Sequence, residues 1–158
     1  MRKFEKISFE EFTKEFGNDK KLYEEYKLPR RKTKYSAGYD ICSLKDYVVK
    51  PGEVLKIPTG FKYISPCDEM FMIVIRSSLG YKYNIRLVNQ VGIIESDYYN
   101  NESNEGHVMV KIQNEGNENF IIKEGDAVAQ GIFVKFYTVD DEEEIKSIRK
   151  GGFGSTNG

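Results

Sequence analysis

The sequence has few of the residues on which zinc sites depend. Its 158 residues include two cysteines, Cys42 and Cys67, and one histidine, His107. These are too few for a zinc cluster of cysteine and histidine ligands or for an HExxH site, so acid–base chemistry falls to carboxylates. The two thiols show no metal-ligand spacing, which indicates a reduced protein. We interpret His107 as a histidine at the end of a strand.

The sequence also lacks an excess of charge and a long hydrophobic run. There are 24 Lys and Arg residues against 25 Asp and Glu residues, so no overall charge favours nucleic acid or an anionic membrane. The longest apolar run, 70–75, is too short to span a bilayer. The basic N-terminus has no apolar stretch behind it and so does not resemble a secretory signal. We expect a cytoplasmic protein with no direct nucleic-acid contact and no membrane segment.

Local signals near the N-terminus predict one short amphipathic helix. Ser8, followed three residues later by Glu11, forms a capping-box pattern. Phe9, Phe12 and Phe16 then recur at helical spacing, which predicts that they share one face.

The rest of the chain shows short β-rich runs separated by turn residues. No second helical pattern lies between them, so the fold class is predicted to be all-β, an antiparallel sandwich, jelly roll or β-barrel. The predicted strands are 47–50, 54–57, 61–64, 70–75, 85–88, 107–113, 120–122 and 127–139.

We divide the chain into three parts. Residues 1–27 form an N-terminal helical extension, 28–139 the β domain, and 140–158 an acidic linker followed by a flexible, glycine-rich C-terminal arm. The acidic run 140–144 is interpreted as a solvated linker, because its charges repel one another. The arm combines glycines, hydroxyls, Arg149 and Phe153. Backbone N–H groups and a guanidinium suit phosphate, which favours a phosphate clamp with a ring for stacking.

Five segments in order resemble the five motifs of the trimeric dUTPase family. They cover the chain from about Leu28 onward, and the matching segments are 37–40, 76–80, 89–98, 125–130 and 151–156. The resemblance implies a homotrimer with active sites shared between subunits, in which the C-terminal arm closes over the active site of a neighbour. It also implies hydrolysis of dUTP to dUMP and pyrophosphate, with Mg²⁺ assisting the attack of water on the α-phosphorus. This reaction keeps uracil out of DNA and supplies dUMP.

The resemblance also assigns roles to individual residues. Asn89 and the main chain of the hairpin at 89–94 would read uracil, Tyr98 would pack on deoxyribose, and Phe153 would cover the base. Asp40 would hold Mg²⁺ through water. The remaining substrate contacts implied are Arg76, Ser77, Ser78, Gly80, Gly92, Ile94, Gln130, Arg149, Gly152, Gly154, Ser155 and Thr156, with Arg149, Ser155 and Thr156 on the γ-phosphate.

The family's water-activating aspartate falls on position 95, which here is Glu95. The matching carboxylate therefore stands about 1.5 Å farther out at a similar pKa, and a misplacement of about 1 Å can cost on the order of 100-fold in rate. Asp97 matches a second family aspartate and is a fallback base. Three interpretations remain open: an adapted pocket, a slow enzyme, or a dUTP-binding regulatory protein with a protein partner. Deamination of dCTP, within the same superfamily, is a further alternative.

Overall fold

The computed structural model describes residues 1–154, which form eleven strands and three α-helices. The helices are α1 (Phe9–Phe16), α2 (Lys20–Glu25) and α3 (Ser77–Tyr83), with a 3-10 turn at Ser96–Tyr98. The strands are β1 (Lys3–Lys6), β2 (Tyr39–Cys42), β3 (Tyr47–Val49), β4 (Val54–Pro58), β5 (Phe61–Ile64), β6 (Glu69–Ile75), β7 (Ile85–Leu87), β8 (Gly92–Glu95), β9 (Met109–Asn114), β10 (Phe120–Ile122) and β11 (Ala127–Lys135).

The strands form four sheets in which every strand pair is antiparallel. The largest has the order β2-β11-β6-β8, a second has the order β4-β9-β7, and two-stranded sheets pair β1 with β5 and β3 with β10. The prediction of an all-β antiparallel fold is confirmed. Because the sheets stay separate along the described chain, a jelly-roll-like fold describes the protein better than a closed barrel. No helix within residues 1–154 is both long and apolar enough to cross a bilayer.

The main core lies between the sheets and explains why buried and exposed side chains alternate along the strands. On β9, Val110 and Ile112 are buried while Lys111 between them is exposed, as expected for a strand with one wet face. Gly131 on β11 lies directly against the ring of Phe71, and a Cβ there would come 1.9 Å from the Phe71 Cζ. Only glycine allows β11 to pass this ring.

The predicted helix α1 is present and builds a second, smaller core. The Ser8 hydroxyl accepts a hydrogen bond from the Glu11 N–H at 3.1 Å, as the capping pattern predicted. The buried side chains of this core are Ile7, Phe12, Phe16, Tyr26 and Leu44. It joins the β domain at Gly60, whose carbonyl accepts the Tyr26 hydroxyl at 2.6 Å.

Several elements were not predicted from the sequence. Strand β1 has a single ring, that of Phe4, which packs against four aromatic residues: Tyr39, Phe61, Phe71 and Phe133. Helix α3 lies between β6 and β7, although no second helix was expected there. It contains Gly80 and buries only Leu79, so its sequence has no clear hydrophobic periodicity from which a helix could be predicted. The short elements α2, β2 and β8 were also missed.

Candidate active site

A cleft of about 230 Å³ lies beside β8 and the turn that precedes it. The C-terminal arm closes one side of this cleft. Of the residues predicted for the site, those lining it are Asn89, Gly92, Ile94, Glu95, Tyr98, Arg149, Gly152 and Phe153. The structure therefore brings the third and fifth matching segments together within one chain.

The segment 89–94 is a tight turn between two sheets. The Val91 N–H donates to the Asn89 carbonyl at 2.7 Å, and Gln90 has a left-handed φ of 67°. Strand β7 before it pairs with β9, and β8 after it pairs with β6. The expected hairpin is thus corrected: its two strands diverge into different sheets and do not pair. Gly92 is tightly packed there, since a Cβ would lie 3.1 Å from the Ile73 Cβ.

Tyr98 forms a fixed wall of the cleft. Its hydroxyl donates to the His107 carbonyl at 2.9 Å and accepts from the Asn104 side-chain amide at 2.8 Å. Burial raises the pKa of Tyr98, so the ring stays neutral and its hydroxyl stays occupied. Its ring can therefore supply a rigid packing surface for a ligand.

Arg149 is paired with Glu95, which lines the cleft, and with the nearby Asp97. Its guanidinium lies 3.0 Å from Glu95 Oε2 and 3.4 Å from Asp97 Oδ1, and its backbone N–H donates to Asp97 at 3.0 Å. The Glu95 side chain remains 48% exposed, so water reaches it. The cation expected to hold phosphate therefore forms an ion pair with the candidate base in this structure.

A second cleft, of about 330 Å³, contains Asp40, which was expected to hold magnesium, and three of the residues expected to bind phosphate: Arg76, Ser77 and Gln130. Asp40 on β2 lies opposite Gln130 on β11, and Arg76 and Ser77 follow β6. A Cβ on Gly38 would come 2.2 Å from Gln130 Oε1, so glycine at 38 leaves room for that amide. Ser78 and Gly80 lie in α3 and do not line either of these two clefts.

The second cleft is cationic around a single buried carboxylate. Arg76 Nε lies 3.5 Å from Asp40 Oδ1, and Lys32 Nζ lies 3.4 Å from Oδ2, which is buried without a hydrogen bond. Lys32 was missed as a site residue, although the basic run 30–34 was an available signal. The two cations Lys32 and Arg76 outnumber the one carboxylate, Asp40, and the resulting positive charge suits a polyphosphate.

Within residues 1–154 no group of three or more His, Cys, Asp or Glu side chains is placed to hold a metal ion. Asp40 supplies the only carboxylate among the described residues that line the cationic cleft. Mg²⁺ commonly keeps several waters and is bound by one or two carboxylates together with substrate phosphates. A single carboxylate with a buried oxygen that accepts no hydrogen bond therefore fits Mg²⁺ that arrives with a triphosphate.

The two clefts lie far apart in one chain. Glu95 pairs with Met70 at one end of β6, whereas Arg76 follows the other end. Six residues of extended chain separate those positions, which is about 20 Å at the usual rise of a strand. The two clefts share no lining residue. Phe153 at the mouth of the first cleft is 80% exposed, and Ser155 and Thr156 lie outside the described residues.

Comparison with known proteins now identifies the family. A family model described as dUTPase matches residues 24–157. This chain belongs to the dUTPase family. The deoxyuridine 5'-triphosphate nucleotidohydrolase of Lactococcus lactis is 43% identical over 130 residues, which cover 82% of this chain and 87% of the relative. The enzyme of the same name from Haemophilus influenzae is 40% identical over 144 residues, covering 86% and 91%.

Solved dUTPase structures share the fold. The crystal structure of dUTPase from Streptococcus mutans superposes with a TM-score of 0.70 at 33% identity, covering 87% of this chain and 98% of that one. A mutant dUTPase from phage phi11 of S. aureus, whose structure details the coordination of a structural Mg(II) ion, has a TM-score of 0.67 at 20% identity and covers 93% and 99%. At that identity the second similarity concerns the fold alone.

Proposed function

We propose that this chain hydrolyses dUTP to dUMP and pyrophosphate. The observation that carries the proposal is the position of Glu95, whose accessible carboxylate lies in the same cleft as Asn89 and Tyr98 in a chain of the dUTPase family. Glu95 is the base that orients and deprotonates the attacking water. A positioned carboxylate in this role typically accelerates a reaction by about 100-fold or more.

Uracil recognition is assigned to the turn at 89–94. Asn89 and residues 92–94 line the cleft, and Tyr98 beside them packs on the deoxyribose. A narrow site made of backbone groups has no room for the thymine methyl and mispairs with the cytosine amino group. Phe153 covers the base once the arm closes.

Substrate binding also frees the base. A triphosphate carries more negative charge than Glu95 and Asp97, so it draws the Arg149 guanidinium away from them. Arg76, Ser77 and Gln130 hold the other phosphate oxygens. Asp40 would hold Mg²⁺ through water, and the ion would supply positive charge that offsets the charge developing on the phosphates.

A homotrimer with active sites between subunits completes the arrangement. Support comes from the separation of about 20 Å between Glu95 and Arg76 within one chain, because one substrate has to meet both.

We also propose that the N-terminal extension 1–27, the β domain 28–139 and the C-terminal part 140–158 have separate functions. Both cysteines are unpaired, which fits a reducing compartment, and we place the protein in the cytoplasm.

Pyrophosphate release from dUTP with Mg²⁺ tests the function, with dTTP and dCTP as controls. We expect turnover of dUTP alone. Tight binding of dUTP without pyrophosphate release would contradict hydrolysis and favour a regulatory binding protein. Ammonia release from dCTP would point instead to a deaminase.

A further inference from the structure

A short basic loop borders the second cleft. We call residues 30–36, which precede β2, the basic loop. Its four basic residues are Arg30, Arg31, Lys32 and Lys34. Within this fully described loop, Lys32 is the one cation that lines the second cleft, and none of the roles proposed above uses it.

The basic loop is closed by the side chain of Arg31. Its guanidinium donates to the Lys34 carbonyl at 3.0 Å and to the Ser36 carbonyl at 3.2 Å. The Thr33 and Ser36 hydroxyls share a hydrogen bond of 2.6 Å, and the Ser36 N–H donates to the Thr33 carbonyl at 3.3 Å. These bonds hold the loop together without the Lys32 side chain, which is therefore available for another role.

The loop is also tied to the strand that carries the acidic residue of the cleft. The Asp40 N–H on β2 donates to the Arg30 carbonyl at 2.9 Å, and these two residues form an isolated antiparallel bridge. The backbone of the loop therefore has a fixed position beside Asp40, and Lys32 extends from that position into the cleft.

Lys32 reaches the Asp40 carboxylate while remaining mostly exposed. Its Nζ lies 3.4 Å from Asp40 Oδ2, which accepts no hydrogen bond. The Lys32 side chain is 62% exposed, whereas that of Asp40 is 12% exposed. Because the ammonium forms no hydrogen bond to this oxygen, its N–H donors stay available for a ligand, and its flexible four-carbon stem allows it to turn.

Arg76 provides Asp40 with a second, less exposed cation. Its Nε lies 3.5 Å from Asp40 Oδ1, its side chain is 29% exposed, and its Nη1 donates to the Ala127 carbonyl at 3.5 Å. If Lys32 turns away, the buried carboxylate therefore still has a cationic partner, which a buried charge requires.

A polyphosphate in this cleft would meet the negative charge of Asp40. Like charges at close range repel each other, and Arg76 alone only balances Asp40. A second cation gives the cleft the positive charge that an anion needs. A lysine ammonium suits this role, because it binds phosphate as a mobile point charge.

Resting on the proposed hydrolysis of dUTP, we propose that Lys32 is a further substrate-binding residue that holds the polyphosphate. The ammonium that faces Asp40 in this structure turns to a phosphate oxygen when the nucleotide binds. This movement leaves Asp40 Oδ2 open for the role proposed for it above. Lys32 thereby makes the cleft favour a phosphorylated ligand before any metal ion contributes.

Calorimetric titration with the α,β-imido analogue of dUTP in EDTA tests this role without turnover and without Mg²⁺. We expect Lys32→Gln to bind the analogue about fivefold more weakly than the parent, because Lys32 is largely exposed and such ion pairs are weak. Deoxyuridine, which has the base and sugar but no phosphate, should bind both proteins equally. Equal affinity for the analogue, or an equal loss with deoxyuridine, would overturn the proposal. So would a parent that does not bind the analogue in EDTA.

Lys34→Gln is the matched control for net charge. Lys34 belongs to the same loop, but its Nζ lies 5.5 Å from the centre of the Tyr35 ring and it does not line the cleft. This variant is expected to bind the analogue like the parent. The same loss in Lys34→Gln and Lys32→Gln would show that only the overall charge of the loop matters, and would overturn the assignment to Lys32.

Lys32→Arg tests whether the positive charge is the property that counts. A guanidinium also binds phosphate, so we expect this variant to recover most of the affinity that Lys32→Gln loses. An arginine variant as weak as the glutamine variant would contradict a contact made through charge. All variants are compared by their melting curves: a lower melting temperature of Lys32→Gln with parental affinity for the analogue would show that Lys32 only stabilises the fold, and would also overturn the proposal.

Steady-state kinetics connect the contact with the reaction. We expect Lys32→Gln to raise KM for dUTP about fivefold with a smaller change in kcat, because the residue binds substrate and does not take part in proton transfer. An unchanged KM would overturn its role in the reaction. If the parent releases no pyrophosphate from dUTP, the proposed function fails, whereas the titration in EDTA still decides whether Lys32 holds the polyphosphate.

Discussion

Replacing the buried His107 should change how stability depends on pH. The side chain is fully buried; its Nε2 accepts the Gly60 N–H at 2.8 Å and its Nδ1 has no hydrogen-bond partner. Burial lowers the pKa of His107 from 6.5 to about 4. Between those pH values the unfolded chain binds a proton on this residue that the folded chain does not.

The sign and size of the effect follow from that difference in proton binding. The contribution of His107 to the free energy of unfolding is complete above pH 6.5 and falls as the pH drops towards 4. The slope is about 1.4 kcal/mol per pH unit, so the total loss is about 3 kcal/mol. Below pH 4 both states are protonated and the loss stops growing.

Urea unfolding of the parent and His107→Gln at several pH values from 7 to 4 measures this loss. The glutamine oxygen can still accept the Gly60 N–H but does not titrate, and the carboxylates common to both proteins cancel in the difference. Equal protein concentrations are needed, since the proposed subunit association would affect stability. We expect the advantage of the parent to shrink by about 3 kcal/mol over this range. Parallel pH profiles would refute the reasoning.

Three further outcomes are expected. Phe12→Ala should lower the free energy of unfolding in urea by about 3–5 kcal/mol, because Phe12 is fully buried in the second core; a change below about 1 kcal/mol would contradict that packing. Gly38→Ala should displace the Gln130 amide, whose Oε1 lies 2.2 Å from the position of the new Cβ. We expect KM for dUTP to rise about tenfold with little change in melting temperature. An unchanged KM would contradict a role for Gln130 in substrate binding. Asp40→Asn should raise the Mg²⁺ concentration for half-maximal pyrophosphate release about tenfold, and an unchanged Mg²⁺ dependence would remove Asp40 from the metal site.

The elements that could be predicted are those with a clear hydrophobic period. Strands β5 and β10 have the predicted bounds, and α1 begins at its predicted cap. Strand β1 was not predicted, because its four residues, KFEK, include only one apolar side chain. Its partner β5 and the surrounding core rings stabilise it, and such contacts are distant in sequence. The same holds for α3, where tertiary packing and not periodicity decides the conformation.

The site was predicted as a set of residues but not as a geometry. Asn89, Glu95 and Phe153 do meet in one cleft. Their distance from Arg76 depends on the order β2-β11-β6-β8, since β8 pairs with only one end of β6. The pairing of Arg149 with Glu95 was also not predicted. Local sequence shows that both charges are present but not where the arm lies.

The most direct test of the central claim compares pyrophosphate release by the parent, Glu95→Gln and Glu95→Asp. If Glu95 is the working base, Glu95→Gln should lose at least about 100-fold in kcat and still bind an α,β-imido analogue of dUTP. In a pocket adapted to glutamate, Glu95→Asp should be no faster than the parent; a much faster Glu95→Asp would show that the parent is a slow form that holds its substrate. A Glu95→Gln variant that turns over dUTP as fast as the parent would contradict the assignment of Glu95 as the base.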